Sequence, residues 1–463
     1  VEQMVEVPKL AEEISELRYS ALNHLWMHNR DWVKTGEDGG PDIVVDGDGI
    51  KVNDINGKTW IDVNGGYGSV NSGYGRTEIA DAARAQMEQI QYFPQGTTTA
   101  PLVKLAEKIA SLSPGDLQRS WPVSGGSEAN ETALKIAKSY HKRLGNNGRY
   151  KIISRKGSYH GATGGVMWLG GGGSSRSDYE PTVPGMVYAP QPNRYRCEFG
   201  GQTDEECAIL CAEAAENLIL FHGPETVAAF IGEPVSASSL AAVPGDPYWP
   251  MIRDICDKYG ILLIADEVIT GFGRTGKMFA SEHWGIVPDI MTVAKGITSS
   301  YLPLAATVST TRISDVFAGE QNLFRQALTF GGHPVCAASA LANIEIIESE
   351  KLVDNSARTG LYLLNKLKEL QENHPIVGDV RGLGLLLGLE LVKNRDTKES
   401  FTPKSGMSNR LNREFRSNGL ILFATDKGVS LSPPLCIKRS EVDFIIDGIH
   451  KSLGNVEKEL SIV

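Results

Sequence analysis

The chain has 463 residues, with 46 Lys and Arg against 56 Asp and Glu, so its formal net charge is −10 with histidine neutral. Its composition, 41% hydrophobic and 22% charged, is that of a globular protein and argues against wholesale disorder, while the acidic balance argues against a nucleic-acid partner. Apolar runs such as residues 383–389 are far shorter than the roughly 20 residues that a membrane-spanning helix needs, so we expect no membrane association.

Six cysteines are few for a chain of this length, and the acidic N-terminal residues do not match a secretory signal. We expect the cysteines to be free thiols in a reducing compartment, which makes the cytoplasm the expected location. Cys207 and Cys211 lie four residues apart, but no second pair of ligand residues is near them in the sequence. We therefore expect no metal site.

The N-terminal part of the chain predicts a helix, then hairpins, then two more helices. Residues 8–31 predict an amphipathic helix that leads into an irregular stretch, and residues 42–63 carry β-branched runs broken by Asp-Gly and Asn-Gly turns. A loop with five glycines follows between residues 65 and 75. Helical periodicity returns at residues 77–91 and 102–111.

From residue 121 to about residue 330, short β-rich runs alternate with helical segments, which predicts an α/β domain with a largely parallel sheet. The predicted strands lie at residues 150–154, 186–189, 227–232, 260–265, 290–293 and 305–309. The predicted helices lie at residues 128–144, 204–223 and 248–259. A glycine- and serine-rich run at residues 170–175 predicts a loop.

After residue 330 the pattern predicts a smaller α+β domain that packs with the N-terminal hairpins. Its predicted elements are helices at residues 333–349, 356–371 and 441–454 and strand-like runs at residues 378–392 and 419–434. The expected organisation is a large domain of residues 70–330 and a small domain built from both chain ends, residues 1–69 and 331–463.

Small residues lead into a strong helical run at residues 124–131, with the sequence SGGSEANE. The start of a helix has unpaired N–H groups and a positive dipole end, and glycine lets the backbone approach an anion closely. The run therefore predicts either a phosphate site at this helix start or, in the plainer interpretation, a serine N-cap with glutamate in the first turn.

Asp266 and Glu267 directly follow one apolar run, and Lys295 follows another. Parallel α/β sheets bind ligands at the carboxyl ends of their strands, where a buried carboxylate needs a partner. A desolvated lysine has a lowered pKa and becomes nucleophilic. Each residue alone also has an ordinary explanation, an aspartate that caps a turn and a lysine that reaches the surface.

Together, a phosphate cradle, a carboxylate and a lysine at strand ends suit pyridoxal phosphate (PLP), which has a phosphate, a basic ring nitrogen and an aldehyde. Residues 271–276 also match the G-x-G-x-x-G dinucleotide pattern. However, four residues separate Asp266 from the first glycine, and no convincing helix follows the pattern. An NAD-dependent dehydrogenase is therefore a disfavoured alternative, which would also leave Lys295 unexplained.

These motifs resemble those of the class III aminotransferases, which are PLP enzymes of fold type I, and the resemblance runs from about residue 20 to about residue 450. The matching motifs are SGGSEANETALK at 124–135, SYHG at 158–161, GEPV at 232–235, DEVITGFGRTG at 266–276, AKG at 294–296 and TFGGHPVCAA at 329–338. Within the family the chain is most similar to the pyruvate-dependent ω-transaminases. The resemblance implies transfer of an amino group from a primary amine to a keto acid such as pyruvate by a ping-pong mechanism.

The resemblance also implies roles for the residues that would surround the cofactor ring. Lys295 would hold the cofactor as a Schiff base and move a proton during the reaction. Asp266 would keep the ring nitrogen protonated. Tyr159 would stack on one face of the ring, and Val268 would pack on the other.

Four further residues match family positions at the phosphate and substrate sides. Gly126 and Ser127 would bind the phosphate, and Glu233 would lie near the substrate side of the ring. Thr329 would reach the phosphate of the partner subunit. That contact requires a homodimer, and pairing of dimers into a tetramer stays open.

The sequence departs from the family where many members carry an arginine for the acceptor carboxylate. The two customary positions hold Phe423 and Ser430. Either another cation binds the carboxylate, or the preferred donor is a bulky, apolar or non-carboxylate amine. The candidate cations are Lys427, Arg194, Arg196, Arg413 and Arg416. Tyr67 and Gly68, in the loop that enters the pocket in the family, favour a roomier site, because relatives often place a large aromatic residue where this chain has glycine.

Two further alternatives keep the same fold. An aminomutase or a decarboxylating aminotransferase of the same family would keep every cofactor residue and differ only in its substrate pocket. A non-catalytic scaffold protein derived from the fold is disfavoured, because both Lys295 and Asp266 are present.

Overall fold

The computed structural model of the protein describes residues 7–94, 96–170 and 176–462. The α-helices are α1 (Val7–His24), α2 (Trp32–Glu37), α3 (Gly65–Gly68), α4 (Thr77–Gln89), α5 (Ala100–Leu112), α6 (Gly126–Arg143), α7 (Asp204–His222), α8 (Tyr248–Tyr259), α9 (Thr311–Asp315), α10 (Pro334–Ser349), α11 (Leu352–Asn373), α12 (Met407–Ser417) and α13 (Arg439–Glu459). None of these described helices is long and apolar enough to cross a membrane. Most of the loop predicted at residues 170–175 lies outside the described residues.

The β-strands belong to one large and two smaller sheets. They are β1 (Val44–Asp48), β2 (Lys51–Asp54), β3 (Thr59–Asp62), β4 (Leu117–Val123), β5 (Lys151–Arg155), β6 (Met186–Ala189), β7 (Val227–Gly232), β8 (Leu262–Asp266), β9 (Ile290–Val293), β10 (Ala305–Thr310), β11 (Val377–Leu383), β12 (Leu386–Leu391), β13 (Leu420–Ile421), β14 (Ala424–Thr425) and β15 (Gly428–Leu431).

The large sheet has the order β4-β10-β9-β8-β7-β5-β6. Its strands β9, β8, β7, β5 and β6 run parallel, and β10 runs antiparallel to both of its neighbours. Strands β7 to β10 are buried at every position, as expected for strands covered on both faces. The predicted α/β fold with a largely parallel sheet is therefore confirmed.

Strand β4 is an element that the sequence pattern does not predict. It lies at the edge of the large sheet, and several of its residues are partly or fully exposed, so its sequence lacks a continuous apolar run. The edge position also tolerates Pro122, whose nitrogen cannot donate a ladder hydrogen bond. The direction of β10 is likewise not predictable, because its apolar run looks like those of the parallel strands.

One edge of the large sheet collects the motifs that the sequence singled out. β8 ends at Asp266, Glu233 follows β7, and Lys295 lies two residues after β9. Because β10 is antiparallel to both β9 and β4, the carboxyl end of β4 reaches the same edge, and α6 begins there at Gly126. A ligand site is expected where the carboxyl ends of such strands meet.

The two smaller sheets join distant parts of the chain. β13 from the C-terminal part pairs in parallel with β3 of the predicted N-terminal hairpins, and β11, β12, β15 and β14 form an antiparallel sheet. A single hydrophobic core contains Ile50, Met291 and Leu389, so the two chain ends pack on the central segment. The boundaries predicted at residues 69 and 330 stay a prediction.

The G-x-G-x-x-G run forms turns that do not match the dinucleotide fingerprint. It starts at Gly271, five residues after β8 ends, and a short 3-10 helix follows it. Within it, Arg274 is fully buried and donates hydrogen bonds to the carbonyl oxygens of Leu385 and Pro433 and to Oδ1 of Asn71. The run thus ties the large sheet to the C-terminal part of the chain and to Asn71 in the loop before α4.

Candidate active site

A cavity of about 760 Å³ opens at the carboxyl edge of the large sheet. The predicted site residues that line it are Tyr67, Gly68, Gly126, Ser127, Tyr159, Glu233, Asp266, Val268, Lys295 and Ser430. Thr329 and Phe423 do not line it, and neither do the five cations that were predicted as carboxylate partners. The volume is in the range of small-molecule sites, which run from roughly 300 to 1,000 Å³.

Asp266 is the centre of a buried hydrogen-bond network at the floor of the cavity. Its Oδ2 accepts hydrogen bonds from Asn130 Nδ2 at 2.8 Å and from His160 Nδ1 at 2.7 Å, and its Oδ1 accepts one from the Val268 N–H at 3.0 Å. Thr292 Oγ1 donates to Asn130 Oδ1 at 2.8 Å and so fixes the orientation of the amide. The carboxylate, 3% exposed, is therefore held in one position facing the cavity.

A line of alternating charges continues from Asp266 into the protein. His160 Nε2 lies 3.8 Å from Glu233 Oε2, and Arg155 Nη2 lies 3.0 Å from the same oxygen. Burial disfavours the charged imidazole, but the carboxylates of Glu233 and Asp266 outweigh this effect and raise the pKa of His160. Burial also opposes ionisation of Glu233, yet His160 and Arg155 lower the pKa of its carboxyl. The floor is thus built from paired rather than isolated charges.

Lys295 reaches the cavity from the loop after β9. Burial lowers the pKa of its ammonium to about 8, although the Asp266 carboxylate acts in the opposite direction. Its backbone is left-handed, with φ of 47°, a conformation that non-glycine residues adopt rarely and often at functional sites. A lysine of this kind has a substantial neutral fraction near pH 8, which a nucleophile requires.

Helix α6 begins beside the cavity without a side-chain cap. Its N-cap is Gly125, and the Glu128 carboxylate accepts a hydrogen bond from the Ser124 N–H at 2.8 Å, so the alternative of a serine N-cap is wrong. The first-turn N–H groups are therefore available to an anion. A Cβ at Gly126 would lie 2.9 Å from Val268 Cγ1, so this close approach requires glycine.

The short segment α3 is a left-handed turn rather than a right-handed helix, and it forms part of the mouth of the cavity. Residues 65–68 all have φ between 51° and 70°. The Asp62 carboxylate holds the turn, accepting hydrogen bonds from the N–H groups of Gly65 and Gly66 at 2.9 Å. Tyr67 is the one residue of the four with a side chain. Because left-handed backbone favours glycine, the glycines predicted as a loop are a structural requirement of this turn.

Aromatic and cationic side chains stack at the mouth. Phe423 packs on Tyr67 with ring centroids 5.5 Å apart and 4° between the planes. The guanidinium carbon of Arg30 lies 5.6 Å from the Phe423 ring centroid. Beside this stack, a Cβ at Gly68 would meet Ile269 at 3.5 Å in ordinary contact, so the missing side chain leaves room in the cavity.

The five cations predicted as carboxylate partners do not line the cavity. Four of them form ion pairs elsewhere, and the fifth, Lys427, is exposed. The pairs are Arg194–Asp204, Arg196–Glu390, Arg413–Glu459 and Arg416–Asp42, at distances of 3.3, 2.6, 2.9 and 2.8 Å. Thr329 is exposed and also lies outside the cavity of its own chain.

Sequence reasoning missed three residues of the floor. His160 lies within the SYHG motif and Asn130 within SGGSEANE, so a signal existed, namely a polar residue inside a matching motif. Thr292 sits in the middle of the buried strand β9, where a polar side chain between apolar ones indicates a hydrogen-bond partner.

Three cysteines come together although the sequence suggested no such group. All six cysteines are free, and the Sγ atoms of Cys197, Cys207 and Cys211 lie within 4.8 Å of one another. Cys197 comes from the segment before α7 and joins the two thiols of that helix. The absence of a metal stays a prediction.

The residues around the cavity fit one cofactor. The lysine amine, the oriented carboxylate and the uncapped helix start match the aldehyde, the ring nitrogen and the phosphate of PLP. Val268 beside the helix start and the exposed Tyr159 ring offer surfaces for the two faces of a planar ring. The fold and the site together define a PLP-dependent enzyme of fold type I.

The chain belongs to the class III aminotransferases, because the family model described as "Aminotransferase class-III" matches residues 35–453. It is 39% identical over 434 residues to the taurine–pyruvate aminotransferase of Bilophila wadsworthia, which covers 91% of this chain and 94% of the relative. Its structure matches an (S)-enantioselective ω-transaminase from Thermomicrobium roseum with a TM-score of 0.93, 41% identity and coverage of 96% and 98% of the two chains.

A further relative connects the family to the cofactor. An amine transaminase from an uncultivated Pseudomonas species, solved in its PLP-bound form, matches with a TM-score of 0.89 and 34% identity over 93% of this chain and 99% of the relative. The protein is accordingly a PLP-dependent aminotransferase that catalyses transamination between an amine and a keto acid.

Proposed function

We propose that this aminotransferase moves the amino group of a bulky apolar amine, without a carboxylate of its own, to pyruvate. The observation that carries the proposal is the room at Gly68, in a cavity whose wall includes Ile269, Leu302 and Leu304. An apolar wall favours an apolar substituent on the donor. Pyruvate as acceptor is supported by the relative named taurine–pyruvate aminotransferase.

The reacting groups of the chain are Lys295 and Asp266. When bound, PLP supplies an electron sink for the negative charge that develops on the substrate carbon. Lys295 Nζ, with its pKa lowered to about 8, takes the proton from that carbon and returns a proton in the reverse half-reaction. Asp266, oriented by Asn130 and His160, presents its carboxylate to the ring nitrogen and keeps it protonated.

The remaining cavity residues position the cofactor. Gly126 and Ser127 give the phosphate the free N–H groups of the α6 start, and Tyr159 and Val268 enclose the ring. Glu233 acts through His160, since their ion pair sustains the positive charge that faces Asp266. These roles explain why the floor contains paired charges at the carboxyl ends of strands.

We further propose that the enzyme is a homodimer in which Thr329 completes the phosphate site of the partner. Thr329 is exposed and lies outside the cavity of its own chain, so it cannot contact a phosphate bound in that cavity. Around it, Phe330 is 63% exposed, and the Tyr92 ring packs edge-on against Phe330 with centroids 6.5 Å apart. Exposed aromatic surface of this kind is typical of an interface. Analytical ultracentrifugation tests whether the protein is a dimer. Thr329→Ala should weaken PLP binding but leave the dimer intact.

The proposal also covers the domain organisation and the cellular location of the enzyme. The large domain comprises residues 70–330, and the small domain is formed by residues 1–69 and 331–463, as the sharing of sheets between the chain ends supports. Free cysteines support a reducing compartment, and we place the enzyme in the cytoplasm.

An absorbance experiment tests the function. The purified protein loaded with PLP should show a yellow band that 1-phenylethylamine bleaches and pyruvate restores. Bleaching should be faster with 1-phenylethylamine than with L-alanine, because only the former places an apolar ring against the wall. A protein that cannot be loaded with PLP, or a band that no amine bleaches, would contradict the proposal.

A further inference from the structure

A cluster of three thiols lies at α7, outside the cavity that fits PLP. The Sγ atoms of Cys197, Cys207 and Cys211 lie within 4.8 Å of one another, and the last two residues are buried. The sequence predicts no metal site, because no second pair of ligand residues lies near Cys207 and Cys211. The fold changes this picture, since it adds a third thiol to the pair on the helix.

The segment before α7 is shaped to bring Cys197 to the helix. Cys197 follows the short 3-10 helix Arg194–Arg196, and its carbonyl oxygen accepts a hydrogen bond from the Gly200 N–H at 3.2 Å, which turns the chain back. Gly201 then passes so close to α7 that a Cβ there would lie 2.8 Å from the backbone nitrogen of Cys207. The thiols therefore meet through a defined turn and a close approach that glycine permits.

The spacing of the sulfur atoms suits a tetrahedral thiolate site. With Zn–S bonds of about 2.3 Å, two sulfur ligands of one zinc ion are about 3.8 Å apart, so thiols within 4.8 Å need only small side-chain rotations. Gln191 adds a second observation, because its carbonyl oxygen accepts a hydrogen bond from Cys211 Sγ at 3.7 Å. Both polar atoms of its side-chain amide are buried without a hydrogen-bond partner in the described structure. A buried amide in this state indicates a group that the protein atoms alone do not supply.

The surroundings of the cluster combine an apolar wall with access from water. Cys207 and Cys211 belong to a hydrophobic core behind α7. Cys197 is partly exposed and lines a surface cavity of about 550 Å³, through which an ion can enter. Lys398 lines the same cavity, where its ammonium donates a hydrogen bond to the carbonyl oxygen of Tyr195 at 2.9 Å. A cation at this place offsets part of the negative charge of a metal bound by three thiolates.

We propose that Cys197, Cys207 and Cys211 bind one zinc ion, with water in the fourth position. Binding displaces the three thiol protons to solvent and forms three Zn–S bonds, which leaves a net charge of −1. The ion fastens the segment before α7 to that helix. Arg196 of this segment forms an ion pair with Glu390 of β12, so the zinc also steadies a contact with the C-terminal part of the chain. The inference is independent of the proposed function, because the site lies outside the PLP cavity.

Cobalt titration of the tag-free, PLP-loaded enzyme tests the proposal. The protein is freed of metal by a chelator and kept reduced by a phosphine. Co²⁺ should then produce the long-wavelength absorption of a tetrahedral cobalt–thiolate site, beyond the absorption of PLP, and it should saturate at one ion per chain. Zn²⁺ should abolish this absorption, since thiolate sites bind zinc more tightly than cobalt. Zn²⁺ should also raise the Tm of the metal-free enzyme, because it binds the folded state.

Two variants remove ligands one at a time. Cys197→Ser and Cys211→Ser should each lower the affinity for Co²⁺ by more than about 100-fold, which exceeds the loss that a supporting contact around a metal causes. Their Tm should no longer respond to Zn²⁺. Near-UV circular dichroism checks that each variant folds, and Cys197→Ser changes the more exposed position. The matched control is Cys436→Ser, which changes another partly exposed cysteine outside the cluster and should bind Co²⁺ as the wild type does.

Three results would overturn the proposal. The first is a wild-type enzyme that gives no tetrahedral cobalt absorption. The second is an absorption that survives in both Cys197→Ser and Cys211→Ser, which would place the metal elsewhere. The third is a zinc-free enzyme, purified without reductant, in which mass spectrometry finds a disulfide between two of the three thiols. That result would make the cluster a redox pair instead of a metal site.

Discussion

The floor and the mouth of the cavity are built from different interactions. At the floor, Asp266 and His160 are buried and each contacts at least two polar or charged partners. At the mouth, Tyr67, Phe423 and Arg30 are partly or fully exposed, and ring stacking joins them. A change at the floor leaves buried charges unpaired, whereas a change at the mouth removes a modest contact. Reaction chemistry and substrate preference are therefore separable in this molecule.

The largest effect is expected at Lys295. Lys295→Ala removes both the covalent attachment of the cofactor and the proton-transfer group, so turnover should fall by more than about 10⁴-fold. Steady-state kinetics measure the loss, and near-UV circular dichroism checks the fold. The control is Lys277→Ala, which changes an exposed lysine directly after the G-x-G-x-x-G run. This variant should retain full activity. Residual turnover near that of wild type would remove Lys295 from the reaction.

Two adjacent residues, Asp266 and Glu267, are expected to differ in role, the first in the reaction and the second in the stability of the fold. Glu267 faces away from the cavity, and its carboxylate accepts hydrogen bonds from the N–H groups of Ala280 at 3.0 Å and Ser281 at 2.8 Å. Asp266→Asn should lower kcat by about 10³-fold, because it removes the charge opposite the ring nitrogen. Glu267→Gln should instead lower the free energy of unfolding by about 1–3 kcal/mol and leave kcat unchanged. Parallel losses of activity and stability in both variants would contradict this division.

The pKa of Lys295 predicts how cofactor capture depends on pH. With a pKa of about 8, the neutral amine increases about tenfold between pH 7 and pH 9, because the proton leaves in this window. The rate at which cofactor-free protein captures PLP, followed by stopped-flow absorbance, should rise by the same factor and then level off. A rate that keeps rising to pH 10 would indicate an ordinary lysine pKa.

At the mouth, Gly68→Ala should alter substrate preference more than total activity. The new methyl group narrows the room beside Ile269, so kcat/KM should fall severalfold for 1-phenylethylamine and less for 2-aminopropane. The left-handed φ of +70° adds strain. Gly57→Ala is a matched control, since Gly57 has φ of +79° with nothing within 4 Å of its Cβ position. An equal loss for both amines would mean that strain, not space, causes the effect.

The smallest effect is expected when the stack is weakened. Phe423→Leu removes the ring contacts with Tyr67 and Arg30, and the free energy of unfolding should fall by about 1 kcal/mol. Urea unfolding measures the change. Phe221→Leu, at an 84% exposed ring, should change stability by less. If Phe423→Leu lowered the free energy of unfolding by several kcal/mol, the contacts at the mouth would contribute as much to stability as those at the floor.

The same contrast explains what the sequence could and could not predict. Asp266 and Lys295 each follow a largely apolar, strand-like run, so their place at one edge of a parallel sheet could be predicted from the strand pattern. His160 and Asn130 could also have been predicted as site residues, because both lie inside motifs that match the family. The contact of Arg30 with Phe423 gave no signal, because the two residues are far apart in the chain and only the fold brings them together. The antiparallel direction of β10 depends on chain reversal, which local composition does not encode.

The turn held by Asp62 places Tyr67 at the mouth before any substrate arrives. The conformational entropy of this segment is lost during folding, not during binding. An amine that packs on the ring therefore retains most of its contact free energy as affinity. Because no rearrangement of the turn has to precede association, differences among amines should be expressed in how long each stays bound.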